Sequence, residues 1–109
     1  MPMADKRAFP RKAIEAKVAL VMDGRKFSAV VIDISVKGML LEFDQPLEIE
    51  KCLQLNLLEH EEISSCILEG QIVRCERREQ GKFVVAFSLL NPDDKFMMDA
   101  LAYIHQGKI

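Results

Sequence analysis

The sequence predicts a mainly β protein, a six-stranded antiparallel β-barrel with a C-terminal α-helix. Three observations lead there. Six runs between residues 13 and 89 are apolar or alternate apolar with polar residues, the pattern of half-buried or buried strands. Turn-forming residues separate them, among them Asp23-Gly24, Gly38, Gln45-Pro46, His60-Glu61-Glu62 and Arg77-Arg78-Glu79-Gln80-Gly81. Only after Asn91-Pro92 do the apolar residues recur at helical spacing. Strands spaced by turns, followed by one helix, make a small barrel with a helix packed against it or across one open end.

Each element has its own signal. From Ala13 to Met22, Ile14, Ala16, Val18, Leu20 and Met22 share one face, with Glu15 and Lys17 on the other. Asp23-Gly24 then marks a tight hairpin turn, because its residues tolerate positive φ. A second strand runs from about Lys26 to Ser35, with Val30, Ile32 and Ile34 on one face and Ala29, Val31, Asp33 and Ser35 on the other. A short third strand covers Met39 to Phe43 and is broken by Gln45-Pro46. Residues 51–58 place Leu53, Leu55 and Leu57 inward, with Gln54 and Asn56 outward. Residues 63–77 read as one long strand, where Gly70 marks a bend or bulge of the kind barrel corners need. Residues 82–89 form the last strand, apolar on both faces. Asn91 then serves as helix cap, Pro92 as the first helical residue, and Asp93 and Asp94 complement the N-terminal dipole. Phe96, Met97, Ala100, Leu101 and Ile104 form one apolar stripe, and Gly107 stops the helix.

Composition narrows the function. The chain of 109 residues is half apolar and 29% charged, an ordinary composition for one soluble domain. No apolar run approaches the ~20 residues of a membrane span. The N-terminus has Asp5, Lys6 and Arg7 but no apolar region of a secretory signal, so the expected compartment is the cytoplasm. Cys52, Cys66 and Cys75 are odd in number, contain no CxxC, and read as reduced, buried or half-buried thiols. His60 and His105 lie far apart, which leaves little for a metal site or a His-dependent triad. No nucleophile–base pair stands out, so catalysis is not expected. A net charge of −2 argues against a general polyanion binder, although Lys6, Arg7, Arg11 and Lys12 concentrate cations near the N-terminus.

Two motifs remain. Arg7 and Arg11 stand four apart in Arg7-Ala8-Phe9-Pro10-Arg11, and Pro10 argues against a helix there. An extended four-residue stretch spans up to roughly 13 Å, so the two guanidiniums can wrap a ligand. The second motif is Asp33-Ile34-Ser35-Val36-Lys37-Gly38, where Asp33 and Ser35 point the same way at the end of a strand. Alone, the first is a solvated basic tail and the second an ordinary turn.

Together, R-x-x-x-R before the first strand and D-x-S-x-x-G at the end of the second resemble the PilZ domain family. Ile72-Val73-Arg74 in a late strand, Val85-Ala86-Phe87 in the last one and the C-terminal helix add to the likeness, which covers nearly the whole chain. The resemblance implies binding of the bacterial second messenger cyclic di-GMP by Arg7, Arg11, Asp33, Ser35 and Gly38. It also implies that the residue before the first arginine, here Lys6, influences whether one ligand or a stacked pair binds. The chemistry suits the residues independently. Guanidiniums match phosphate oxygens or the O6 and N7 acceptors of guanine, and a carboxylate accepts from guanine N–H donors. A glycine lets the backbone approach a ligand closely. The implied device is a switch: residues 1–12 form a flexible segment that orders on ligand binding against a body spanning 13–107, and the new surface signals to a protein partner. Two rivals are a PilZ-fold adaptor that acts through protein contacts without nucleotide, and a small-barrel nucleic-acid binder. The latter wants exposed aromatics, and this chain has one Tyr and no Trp.

Overall fold

The computed structural model describes residues 10–106. Six strands, β1 (Lys12–Met22), β2 (Arg25–Ile34), β3 (Gly38–Phe43), β4 (Cys52–Leu57), β5 (Cys66–Arg77) and β6 (Phe83–Leu90), precede one helix, α1 (Asp94–Ile104). All neighbouring strands are antiparallel, and they close into a barrel in the order β1-β2-β3-β6-β5-β4. Asp23 and Gly24 turn β1 into β2 with both φ values positive, at 52° and 76°, as a two-residue hairpin of right-twisted strands requires. No helix among the described residues is long and apolar enough to cross a membrane.

The barrel interior is filled by the inward rows. Val18 and Leu20 of β1, Val31 of β2, Leu41 of β3, Leu55 of β4, Ile72 of β5 and Val85 of β6 are all almost completely buried. Phe96, Ala100 and Ile104 of α1 are buried at i, i+4 and i+8, so one stripe of the helix faces the barrel. The helix lies where β1 and β5 begin: the Tyr103 hydroxyl donates to the Ala13 carbonyl, and the Ser64 N–H donates to the Asp99 carboxylate.

Four expectations need correction. The inward pattern of β2 does not run straight through. Val31 faces Leu41 and Asp33 faces Leu40, so Ile32 is an extra residue, a β-bulge. The bulge reverses the alternation: Ala29, Val31 and Ile34 are buried, and Asp33 turns outward, away from the face of Val31. Second, the break in β5 is not at Gly70, which pairs regularly with Leu53 and Leu89. It falls at Val73, between Ile72 opposite Phe87 and Arg74 opposite Ala86. Gly70 instead makes room for core side chains, since a Cβ there would stand 2.9 Å from Cδ2 of Phe87.

Third, β5 begins at Cys66 rather than at residue 63. Ile63 is buried from a loop, and its backbone exchanges hydrogen bonds with His60. Fourth, the helix cap is Asp93, whose carboxylate accepts from the Phe96 N–H at 2.8 Å, whereas Asn91 sits in the left-handed region at φ 49°. Pro92 therefore precedes the cap instead of starting the helix. The helix is capped at its other end by His105, and Gly107 lies outside the described residues. Among the cysteines, Cys52 is exposed because it shares the outward face of β4 with Gln54; Cys66 and Cys75 are half-buried.

Candidate functional site

The two bulges have one result. The residues Asp33, Leu40, Ala86 and Arg74 pair in sequence across β2, β3, β6 and β5, forming one outward-facing row. Under strict alternation Asp33 would follow Val31 into the core, and Arg74 would follow Ile72. The extra residues Ile32 and Val73 re-aim both polar side chains onto the outer surface. Three strand intervals separate them, roughly 14 Å. Gly38 and Ser88, also paired, form the next outward row.

A cleft of about 300 Å³ occupies this face. Its floor is apolar, made by Leu40, Val73 and Ala86, with Gly38 and Ser88 above. Cations stand on its rim at Arg11, Lys37 and Arg74, and Ser35 also lines it. An apolar floor ringed by guanidinium and ammonium groups suits a flat, anionic ligand with hydrogen-bonding edges.

Arg11 and Asp33 meet in space. The Arg11 Nε and Nη2 groups both donate to Oδ2 of Asp33, at 2.9 and 2.5 Å, while Oδ1 accepts from the Ile34 N–H. Both side chains retain partial exposure, 28% and 21%, so the pair stands at the cleft edge where a ligand can reach it. Two of the five guanidinium N–H donors are engaged on the carboxylate.

Ser35 is built into its own turn. Its N–H donates to the Gly38 carbonyl at 2.8 Å, its hydroxyl donates to the same oxygen, and its Oγ accepts from the Lys37 N–H. At Gly38 β3 lies tight against β6: a Cβ there would stand 3.0 Å from the Phe87 carbonyl oxygen. These two residues therefore shape the cleft as well as line it. Arg7 and Lys6 lie outside the described residues.

Arg74 is the residue that motif reasoning left without a role. Its Nε is 3.2 Å from Glu76, which also meets Arg78 at 3.4 Å; all three are exposed enough for a ligand to compete. The available signal was a charged residue in phase with the core positions Leu68, Gly70 and Ile72, which only a bulge can resolve.

Elsewhere, no group of three or more metal-ligating side chains occurs among the described residues. The Cys66 thiol is pushed up by burial, and further by the carboxylates of Asp93 and Asp99. Such a shift favours the neutral, unreactive thiol.

No curated protein matches the sequence. Among solved structures the fold is similar to the Bacillus subtilis inhibitor of motility MotI/DgrA, with TM-score 0.75 and 16% identity over 92% of this chain and 49% of that one. It is similar to the PilZ domain of YcgR from Escherichia coli, solved with c-di-GMP, with TM-score 0.76 and 13% identity over 92% of this chain and 89% of that domain. The PlzA protein of Borreliella burgdorferi, solved in complex with c-di-GMP, gives TM-score 0.67 and 8% identity over 91% of this chain and 53% of that one. The chain thus spans about half the length of the MotI and PlzA chains. The sequence itself matches the PilZ domain over residues 5–106, a span that contains both motifs, all six strands and the helix, and the chain belongs to the PilZ domain family.

Proposed function

We propose that the protein is a cyclic di-GMP receptor that works as a switch and not as a catalyst. The observation that carries this reading is the Arg11–Asp33 pair at the edge of a cation-rimmed cleft in a PilZ domain. Two of the structurally similar proteins were solved with this ligand. In the proposed site Arg11, joined by Arg7, takes phosphate oxygens or the acceptor edge of guanine, and Asp33 accepts from guanine N–H donors. Leu40, Val73 and Ala86 give a base an apolar surface to lie against, and Arg74 adds a cation at the far side of the same row. Ser35 and Gly38 hold the turn at the mouth of the cleft. Residues 1–12 act as the closing segment and 13–107 as the body, with Lys6 setting whether one ligand or two stack there. Closure then presents a new surface to a protein partner, and it shifts that partner's binding only if the partner distinguishes the two states.

The test is a calorimetric titration with cyclic di-GMP, which reads affinity and stoichiometry together. Binding at micromolar protein is expected. Arg11→Ala and Asp33→Ala each remove charge-assisted hydrogen bonds worth ~1.5–3 kcal/mol, a loss of about 10- to 150-fold in affinity. If wild-type protein does not bind, the receptor reading is wrong; if neither variant weakens binding, the residue roles are wrong.

A second reading has one observation in its favour. Arg11 and Ser35 already have partners inside the fold, as signature residues in a purely structural role would. An adaptor acting through protein contacts alone would show no heat with the nucleotide. The nucleic-acid reading loses ground, because no Phe or Tyr among the described residues is exposed.

A further inference from the structure

We propose that Tyr103 is a positioning residue that fixes the start of β1, directly after Arg11, and transmits ligand occupancy to α1; this rests on the cyclic di-GMP reading above. Tyr103 stands in the last turn of α1, some 90 positions after the residues it touches. Its hydroxyl donates to the Ala13 carbonyl at 2.7 Å. Its own carbonyl accepts from Nζ of Lys12 at 3.1 Å, and the same ammonium sits 4.4 Å from the centre of its ring. One side chain and one helix-end carbonyl therefore hold the two residues immediately following Arg11.

The placement gives this clamp leverage. Ala13 pairs with Asp33 across β1 and β2, and the β1–β2 register slips just beyond, between Ala13 and Ala16. The start of β1 is thus gripped from two sides, by Asp33 through Arg11 and by Tyr103. Lys12 also places a positive charge at the C-terminal end of the helix dipole, where a cation is favoured. The Tyr103 ring also meets His60 edge-on at 6.0 Å, which links the loop before β5 to the same point. When Arg11 leaves Asp33 to share its donors with a ligand, the pull falls first on Lys12, and Lys12 is bonded to α1. Conversely, holding Ala13 in place reduces the ordering that ligand binding must impose on the strand start.

Tyr103 is the sole tyrosine, and the chain has no tryptophan. Protein containing 3-fluorotyrosine therefore shows one fluorine resonance, and that resonance reports this clamp. Adding cyclic di-GMP is expected to shift it in step with occupancy. In Lys12→Met the ligand binds more weakly and the shift shrinks, because only the hydroxyl bond to Ala13 still joins ring and strand. Tyr103→Phe, which keeps the ring in the packing and removes only the hydroxyl, is expected to weaken ligand binding about fivefold, the effect of one neutral hydrogen bond. A resonance that stays put at saturation, a shift undiminished in Lys12→Met, or a Tyr103→Phe variant that binds as tightly as wild type overturns the coupling while leaving the receptor reading intact. Absence of ligand binding by wild-type protein overturns both.

Discussion

Gly70 shows how tightly single residues are determined in this barrel. It faces the core between Phe87 and Leu55, and an added Cβ would lie 2.9 Å from one and 3.1 Å from the other. Gly70→Ala should destabilise the protein by ~1–3 kcal/mol, the usual cost of overpacking a filled core. Urea unfolding would measure this, and Phe87→Leu in the same chain should recover part of the loss. At the cleft face the sequence is informative for a different reason. Arg11, Asp33, Ser35 and Gly38 stand out because their spacing is distinctive even where each residue is ordinary; Arg11, Ser35 and Gly38 line one cleft, and Asp33 joins them through its bond to Arg11. Arg74 is not legible in the same way. Its place beside the cleft depends on the extra residue Val73, and nothing in the string Ile72-Val73-Arg74-Cys75 says which residue leaves the ladder. The reading of Gly70 as a bulge fails on the same ground: a glycine marks close approach as readily as it marks a bend.

At the level of elements, hydrophobic period locates every strand to within about three residues, and bulges are what it cannot locate. Ala29 to Ile34 is apolar apart from Asp33, so a slip at Ile32 leaves no trace except a carboxylate in phase with Val31. Ile63 misleads for another reason. It is apolar and buried, yet its burial comes from a loop packed beside α1, so pattern alone extends β5 too far. The helix is legible in its stripe except at Leu101, which is exposed, and less so in its cap, since Asn91, Asp93 and Asp94 all have suitable side chains. Asp99 ties α1 to that loop. Its carboxyl is held below the ordinary carboxylate value, first by the Ser64 N–H and then by the Lys95 ammonium. A depressed acid supports folding above its unfolded value, and that support is lost as pH falls through the lower folded value. Asp99→Asn should therefore lower the melting temperature at neutral pH and flatten the acid side of its profile, the two proteins converging as pH falls below about 4.

On the scale of the whole molecule, stability and folding both depend on contacts between distant parts of the chain. The barrel closes through β1 on β4 and β3 on β6, pairings that sequence-adjacent hairpins do not supply. Slow, cooperative folding is the expectation for such a topology. Phe96 joins the helix to this core and is 1% exposed. Phe96→Ala should cost about 3–5 kcal/mol, a large share of the ~5–15 kcal/mol typical of a small domain, and chemical denaturation would read it directly. The long-range contact of Tyr103 with Lys12 and Ala13 has an architectural meaning beyond the site. It brings the first strand within side-chain reach of the last helical turn. A domain whose first strand begins near the end of its last helix can be spliced into a surface loop of a host protein with little stretching of either polypeptide. It can also be rejoined end to end and reopened at an exposed turn such as Asp23-Gly24. In that sense the barrel is built as a cassette, and its cation-rimmed cleft travels with it.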